Sequence, residues 1–230
     1  KTSLKNLIKD LLQNFDETHF SPKSFNNHFG VPISLSNLNI NNKFGIFEVG
    51  MSKAGEISNL SKLIQPHIGI ITNIGEAHIE NFKNIKDIAK AKGEIIDNIK
   101  KGGTIILNRD DKFFRYLAGK AKLKKIKIVT FGKNKKSDVY PIKTSNSKNL
   151  IKMSVKVKDQ NLDLSIKNIN IYNLLASLAL LKELNLNLEK IKNIFQNYEP
   201  TEGRGSRHNI KRYNKKFKLI DESYNANPLS

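Results

Sequence analysis

The chain has no cysteine and no tryptophan, and only five of its 40 basic residues are arginine. Without cysteine it can form neither a disulfide nor a thiolate metal site, which fits a reducing compartment without proving one. It has no apolar run of about 18 to 20 residues, the length that crosses a bilayer. It also has no secretory signal pattern at its start. These absences predict no membrane insertion and are compatible with a cytoplasmic location.

Acidic residues are also scarce. The chain carries 21 Asp and Glu against 40 Lys and Arg, a formal net charge of +19. A charge of this size raises the possibility of a nucleic-acid partner. However, the lysines are dispersed, not interleaved with aromatics, and only the segment 120–136 is dense. Asn and Ile, which share AT-rich codons with Lys, are abundant as well. We expect solvated lysines and no nucleic-acid partner, with a basic nucleic-acid-binding protein as the alternative of a different class.

Most of the chain alternates short apolar runs with helical patterns, and such an order predicts parallel strands joined by right-handed crossovers. The runs predict strands at 44–50, 67–75, 102–108 and 127–132. The helical patterns lie at 4–12, 54–64, 84–100 and 113–122, and a Pro-, Gly- and Asn-rich loop is predicted at 20–34.

After residue 150 the pattern changes. Residues 150–168 alternate apolar and polar side chains around a turn, which predicts a half-exposed hairpin. Helices are then predicted at 170–184 and 188–198, a linker at 201–209, and a new hairpin or strand beyond it. The fold class is therefore α/β: a mostly parallel sheet flanked by helices, a small antiparallel hairpin addition and the start of another α/β domain.

The predicted helix at 84–100 places a lysine on its apolar face. On a helical wheel that starts at Ile85, Lys92 lies about 20° away, in the middle of the stripe. A lysine buried there is costly unless it is paired or chemically altered. The alternative is a lysine that runs along apolar surface and keeps its amine in water. The stripe also contains Ile88, Ala89, Ile95, Ile96 and Ile99.

Two strand ends supply possible partners for that lysine. Glu48 follows the run FGIF, and His78 follows GIITN. In open parallel sheets, ligands bind outside the carboxyl ends of the strands. A carboxylate, an imidazole and a lysine that meet there suggest a hard-cation site for phosphate chemistry. Taken singly, a Glu or His residue near a strand end is most often a surface or capping group.

The first three residues, Lys1, Thr2 and Ser3, are followed by a helical pattern, as in the second half of a phosphate-binding loop. In such loops the lysine reaches the outer phosphates and the hydroxyl contacts Mg²⁺. The preceding glycines are absent, and a K-T-S tripeptide also arises by chance.

An ordered set of motifs decides between these interpretations. KTS, SFNNHFGVP, FEVGMSKAGEI, TNIGEAHIENF, AKAKGEI, NIYNLLASLA, GRG and DESYNANP follow one another with workable spacings. Together they resemble the Mur ligase family of ATP-dependent peptide ligases, and the resemblance covers essentially all of the chain. It implies a three-domain enzyme, of which residues 1–200 would be the ATP-binding central domain, starting inside the phosphate loop. Residues 201–230 would be a linker and the start of the C-terminal domain.

The resemblance also implies ATP and Mg²⁺ as cofactors and assigns roles by position. Lys1, Thr2 and Ser3 would bind the nucleotide, with Lys1, His78 and Lys92 as catalytic residues. Thr2, Glu48, His78 and Lys92, the last as a carbamate, would hold metal. Asn26 and Asn27 would approach the substrate, whereas Asn173, Arg204, Asp221, Tyr224 and Asn225 would lie near the nucleotide. Lys167 and Ile169 depart from the family pattern before IYN, which puts contacts from that turn in doubt.

Within the family, Ala77 and SYNANP favour the member that adds D-alanyl-D-alanine to UDP-N-acetylmuramoyl-tripeptide in peptidoglycan precursor synthesis. That member is expected to act as a monomer in its full-length form, and this stretch alone is expected to be inactive. A family member that adds a different amino acid, as the tripeptide or folate-glutamate ligases do, is the close alternative.

Overall fold

The computed structural model describes residues 1–76, 79–147 and 150–224. Within them, seven α-helices are α1 Thr2–Leu12, α2 Gly30–Ser36, α3 Glu56–Ile64, α4 Ile85–Gly93, α5 Phe114–Leu123, α6 Ile171–Glu183 and α7 Lys192–Asn197. Short 3-10 helices occupy Ile79–Asn81, Glu94–Asn98 and Leu188–Ile191. The strands are β1 Thr18–Phe20, β2 Phe44–Ile46, β3 Ile68–Ile71, β4 Thr104–Asn108, β5 Lys127–Phe131, β6 Val139–Ser147, β7 Leu150–Val157, β8 Gln160–Ile166, β9 Ser206–Arg212 and β10 Lys215–Asp221.

Six strands form the main sheet in the order β3-β4-β5-β6-β7-β8. The pairs from β3 to β6 are parallel, and β6, β7 and β8 form an antiparallel meander. Helix α4 joins β3 to β4 and α5 joins β4 to β5, as parallel neighbours require. The sheet is thus a parallel α/β unit extended by antiparallel strands, which confirms the expected fold class.

Two smaller sheets flank this unit. Strands β1 and β2 are parallel and pair through Thr18↔Phe44 and Phe20↔Ile46. Strands β9 and β10 form an antiparallel hairpin with Tyr213 and Asn214 at its turn. Because β1 and β2 are parallel, their carboxyl ends point to the same edge, where the start of α1 also lies.

Apolar clusters cover both faces of the main sheet. Ile106 of β4 faces the cluster formed with α1 and α6, which includes Leu7 and Leu11. Its neighbours Ile105 and Leu107 face the cluster formed with α3, α4 and α5. This alternation follows from the period of two along a strand, and it gives a strand buried on both sides. The helix that carries Lys1 and Thr2 is therefore anchored in the core.

Several elements differ from the sequence-based expectations. The predicted loop at 20–34 contains the end of β1 and helix α2, and the predicted strand at 44–50 ends at Ile46. The predicted strand at 67–75 is confined to β3. The linker predicted at 201–209 ends before Ser206, where β9 begins. Strand β6 was missed, because Pro141 interrupts its pattern; the structure accommodates that proline at a register shift.

The helix predicted at 84–100 is also shorter than expected. Helix α4 ends at Gly93, and the next turn is a 3-10 helix. Likewise, the helix predicted at 188–198 is a 3-10 turn followed by α7. The tighter 3-10 winding breaks the 100° step, so the wheel drawn from Ile85 does not hold beyond Gly93. None of the helices in the three described ranges has the length and apolar character needed to cross a membrane. The domain boundary at residue 200 stays a prediction.

Candidate active site

The start of α1 and the end of β2 meet through two side chains. The Thr2 hydroxyl donates a hydrogen bond to Oε2 of Glu48 at 2.8 Å. Both residues are buried, with 7% and 6% of their surface exposed. A buried carboxylate is tolerated only when its oxygens are satisfied, so this pair fixes the hydroxyl and the carboxylate together.

The second oxygen of the same carboxylate binds the loop after β1. Asn26 Nδ2 donates to Glu48 Oε1 at 2.8 Å, and the Glu48 backbone N–H donates to the Ser21 hydroxyl at 3.0 Å. The Gly50 N–H donates to the Asn26 carbonyl at 2.6 Å. A Cβ at Gly50 would lie 2.8 Å from the Asn26 side-chain oxygen, so this approach requires glycine. Glu48 therefore joins the start of α1 to this loop.

Lys1 lies at the same end of α1. Its Nζ donates to the Val49 carbonyl at 3.2 Å. Burial lowers the pKa of the Lys1 side chain, and the nearby Glu48 carboxylate opposes that shift. Ser3 is partly buried on the same first turn. The structure thus brings Lys1, Thr2 and Glu48 together at one edge.

Lys92 is on α4, whose start is capped by the side chain of Asn84. It is partly buried, and its Nζ donates to the Asn73 carbonyl just after β3 at 2.9 Å. Burial and, to a smaller extent, the positive charge of Lys1 lower the Lys92 pKa to about 8, and Asp111 opposes the shift. Lys92 therefore lies within electrostatic range of Lys1, with its amine anchored at the carboxyl end of β3.

The two asparagines expected near the substrate differ in their surroundings. Asn26 contacts Glu48, as described above. The Asn27 side-chain oxygen accepts from the backbone N–H groups of Phe29 at 3.2 Å and Gly30 at 2.9 Å. In the structure it therefore shapes the turn into α2, and its amide nitrogen is the group left for other contacts.

Three of the expected nucleotide-side residues surround the base of the β9–β10 hairpin. The Arg204 guanidinium carbon lies 4.0 Å from the centre of the Tyr224 ring, a cation–π arrangement. Asp221 accepts from the N–H groups of Ser223 and Gly203 at 3.0 and 2.9 Å. Hydrogen bonds from Ser223 and Gly203 lower the Asp221 pKa. The Asp221 carboxylate thus organises the turn that presents Arg204 and Tyr224.

Asn173 lies in the first turn of α6 and is partly buried. The side chain of Asn170 caps this helix by accepting from the N–H groups of Tyr172 at 2.9 Å and Asn173 at 3.3 Å. Asn170 belongs to the KNIN segment that departs from the family pattern. Asn170 caps α6 even though neighbouring residues differ from the family pattern, because capping needs only its side-chain oxygen.

Sequence reasoning missed two polar residues that support this site. Lys5 is only 5% exposed, and its amine donates to backbone carbonyls of the loop after β1. Its signal was present, since Lys5 lies seven residues before Leu12 and therefore on the same buried face. Glu94 lies outside the apolar stripe predicted for its helix, which favours a side chain that faces solvent. It instead accepts from Gly55 and Ser58 N–H groups at 2.8 and 3.0 Å, at the start of α3. His78 and Asn225, together with Ala77, lie outside the described residues.

The donor set suits a magnesium ion. Mg²⁺ prefers oxygen ligands in octahedral geometry at about 2.0–2.1 Å, which puts neighbouring ligands about 2.9 Å apart. The 2.8 Å between the Thr2 hydroxyl and Glu48 Oε2 is close to that spacing. In the described ranges, no three His, Cys, Asp or Glu side chains are grouped around one point as metal ligands. Mg²⁺ at phosphate sites usually takes only one or two protein carboxylates, so Thr2 and Glu48 fit it.

Comparison with known proteins assigns the chain to a family. The family model described as "Mur ligase middle domain" matches residues 1–181. That is well over half of the chain, which therefore belongs to the Mur ligase family.

The matches to individual proteins are more specific than the match to the family. The chain is 32% identical over 233 residues to the UDP-N-acetylmuramoyl-tripeptide–D-alanyl-D-alanine ligase of Buchnera aphidicola subsp. Baizongia pistaciae, covering 100% of this chain and 50% of the relative. The fold of the present chain matches that of MurF from Acinetobacter baumannii with a TM-score of 0.89 at 27% identity. The match covers 99% of this chain and 49% of that MurF chain. MurF from Thermotoga maritima, solved in complex with ADP, shares the fold at a TM-score of 0.86 and 22% identity, over 99% of this chain and 52% of that one. The chain spans about half the length of the curated relatives it matches.

Proposed function

We propose that this chain carries the ATP-binding part of a UDP-N-acetylmuramoyl-tripeptide–D-alanyl-D-alanine ligase, which acts in the cytoplasm in peptidoglycan precursor synthesis. The observation that carries the proposal is the Glu48 carboxylate, which binds Thr2 of the phosphate-side helix and Asn26 of the adjacent loop. The substrates in this proposal are taken from the names of the relatives.

In this proposal the start of α1 binds the phosphates of ATP. Backbone N–H groups at a helix start and the Lys1 ammonium both attract anionic oxygens. Thr2 and Glu48 would hold Mg²⁺, which neutralises charge on the phosphates when it is bound. His78, which lies outside the described residues, keeps its proposed role as catalytic and metal-binding residue. Ser3 would line the same turn.

The reaction would proceed in two steps. A carboxylate oxygen of the tripeptide attacks the γ-phosphorus of ATP, the bond to the β-phosphate oxygen breaks, and an acyl phosphate and ADP form. The amine of D-alanyl-D-alanine then attacks the acyl carbon, loses a proton, and displaces inorganic phosphate. Lys1 would stabilise charge on the transferring phosphoryl group, while Asn26 and Asn27 would help orient the muramoyl peptide.

Lys92 is proposed to act as a carbamate. A neutral amine adds CO₂, and burial favours the neutral form of Lys92 because its pKa falls to about 8. The product would be an anion on the same edge as Thr2 and Glu48, suited to a second Mg²⁺. This role explains a partly buried lysine close to the positive charge of Lys1.

Arg204, Asp221 and Tyr224 are proposed to close over the nucleotide together with Asn225, which lies outside the described residues. Asn173, in the first turn of α6, would contact the nucleotide from the other side. The cation–π contact between Arg204 and Tyr224 would let the two side chains move as one unit. The full-length enzyme would act as a monomer.

The test is an assay of the full-length protein that contains this chain. With ATP, UDP-N-acetylmuramoyl-tripeptide and D-alanyl-D-alanine, we expect ADP release that requires both other substrates. Release that needs neither of them, or that proceeds equally with other amino acids, would contradict the proposal. Replacing D-alanyl-D-alanine by single amino acids tests the alternative that the protein is another ligase of the family.

The nucleic-acid alternative finds little support in the dense lysine segment. Lys120 and Lys124 share Asp97 at 2.6 and 3.6 Å, and Lys127 pairs with Glu183 at 2.7 Å. Part of this positive charge is therefore neutralised within the fold. Binding to random DNA that is tighter than binding to ATP, and that weakens steeply with salt, would restore this alternative.

A further inference from the structure

Lys5 is a buried cation that the proposed chemistry does not use. It lies one turn after Lys1 on α1 and is 5% exposed. Its Nζ donates to the carbonyl of Ser21 at 2.6 Å and also to the carbonyl of Lys23. Burial lowers the Lys5 pKa, and the nearby Glu48 carboxylate opposes that shift. A buried ammonium is costly, so its hydrogen bonds must accomplish something that an apolar side chain would not.

Those two carbonyls belong to a loop of unusual shape. We call residues 21–27 the asparagine loop, because it carries Asn26 and Asn27. Lys23 has a φ of 44°, in the left-handed region that a non-glycine residue adopts at a cost. Such a conformation persists when surrounding contacts hold it. The Lys5 ammonium binds the carbonyl of that residue, and thereby holds the loop at its strained point.

The asparagine loop connects the parts of the site. Its first residue, Ser21, accepts from the Glu48 N–H, and Asn26 donates to the Glu48 carboxylate. Between them, the Ser24 hydroxyl lies 2.6 Å from the Tyr224 hydroxyl beside Arg204. A shift of this loop would therefore alter the oxygen set at Glu48 and the contact with the C-terminal hairpin together.

We propose that Lys5 is a positioning residue that ties the asparagine loop to the phosphate-side helix and so sets Asn26 against Glu48. Its effect on catalysis rests on the proposed ligase function; its effect on loop geometry does not. Lys5 acts through Asn26, so removing both should cost no more than the larger of the two single losses.

The kinetic test is a double-mutant cycle in the full-length protein with Lys5→Met, Asn26→Ala and the double variant. Each single change should lower kcat/KM for the muramoyl peptide at least about ten-fold, the scale of a lost charged hydrogen bond. Lys9→Met on the same helix is the matched control and should behave as wild type. Additive losses in the double variant, or unchanged kinetics in Lys5→Met, would overturn the proposal.

The structural test needs no activity. The side-chain amide NMR signal of Asn26, assigned by its loss in Asn26→Ala, should shift in Lys5→Met and stay in place in Lys9→Met. An unmoved signal in Lys5→Met overturns the proposal even if the ligase assay succeeds, and a moved one supports it even if that assay fails. If Lys5→Met does not fold, Lys5→Gln takes its place. If neither folds, Lys5 is a stability residue and the positioning role is wrong.

Discussion

The Thr2 hydroxyl and the Glu48 carboxylate, 46 residues apart in the chain, are 2.8 Å apart in the structure. Their contact joins the first turn of α1 to the second residue after the end of β2. The burial of both side chains excludes a chance surface contact. The distance is also close to that between neighbouring ligands on an octahedral cation, which the proposed Mg²⁺ site requires.

Glu48→Gln should weaken Mg²⁺ binding at the proposed metal site while preserving the fold. The amide is isosteric and can still contact Thr2, but it carries no charge for Mg²⁺. We expect the Mg²⁺ concentration for half-maximal activity to rise by more than the about 10- to 100-fold that losing an outer-shell partner costs. The measurement is a Mg²⁺ titration of ADP release. Glu189→Gln, at a surface ion pair, is the control. An unchanged Mg²⁺ requirement in Glu48→Gln would remove Glu48 from the metal site.

Lys92→Ala should lose activity, because the alanine can neither form a carbamate nor replace its charge. Short carboxylic acids such as acetate should restore part of that activity by entering the space left by the side chain. Lys90→Ala, an exposed lysine of the same helix paired with Asp87, should keep wild-type activity. ADP release with and without added acetate is the measurement. Full activity of Lys92→Ala without any acid would show that Lys92 is not needed.

Asn170→Ala should affect both stability and nucleotide binding. It removes the cap of α6, which typically stabilises a protein by about 1 kcal/mol, and it loosens the turn that holds Asn173. We therefore expect a lower urea midpoint and a raised KM for ATP. Asn187→Ala removes a similar contact to the Glu189 N–H in a 3-10 turn, and it should lower stability alone. Equal KM values for the two variants would argue against Asn173 as a nucleotide contact.

Tyr198 should make the protein sensitive to alkali. It is 8% exposed, and burial, with a smaller effect of Asp10, raises its pKa to about 12. Between about pH 10 and 12 the unfolded chain loses this proton while the folded one keeps it, so stability falls as the pH rises. The two-unit shift corresponds to about 2–3 kcal/mol. Urea unfolding of Tyr198→Phe should show a shallower decline across this range than wild type. Parallel curves would contradict this assignment.

The sequence alone predicts the helices and strands whose apolar residues follow a clear pattern. The pattern of α1, the buried run of β4 and the alternation of β7 and β8 are all confirmed. It fails where tertiary contacts override local signals. Strand β6 contains Pro141, which argues against a strand until a register shift accommodates it. Helix α2 and β1 are short and lie in a segment of turn-forming residues, so neither has a period to detect.

The residues of the candidate site likewise include some that the sequence could indicate and some that it could not. Lys1, Thr2 and Glu48 could be named as candidates because each lies at a predicted helix start or strand end, and the resemblance to the family supplied their proposed roles. The burial of Lys5 could be predicted from its position on the apolar face of α1, but nothing in the sequence says that its amine meets the carbonyls of Ser21 and Lys23. Those acceptors are backbone groups, which any residue supplies and no motif records. The hydrogen bond between Glu48 and Asn26 likewise depends on how the asparagine loop folds back.

Isotope transfer tests the central claim most directly. The tripeptide carboxylate is labelled with ¹⁸O in UDP-N-acetylmuramoyl-tripeptide and incubated with ATP, D-alanyl-D-alanine and the full-length protein. The account predicts that each phosphate released carries one ¹⁸O from that carboxylate, and that the peptide product retains the other. Phosphate that takes its new oxygen from water, without peptide product, would show an ATPase instead of a peptide ligase and would contradict the account.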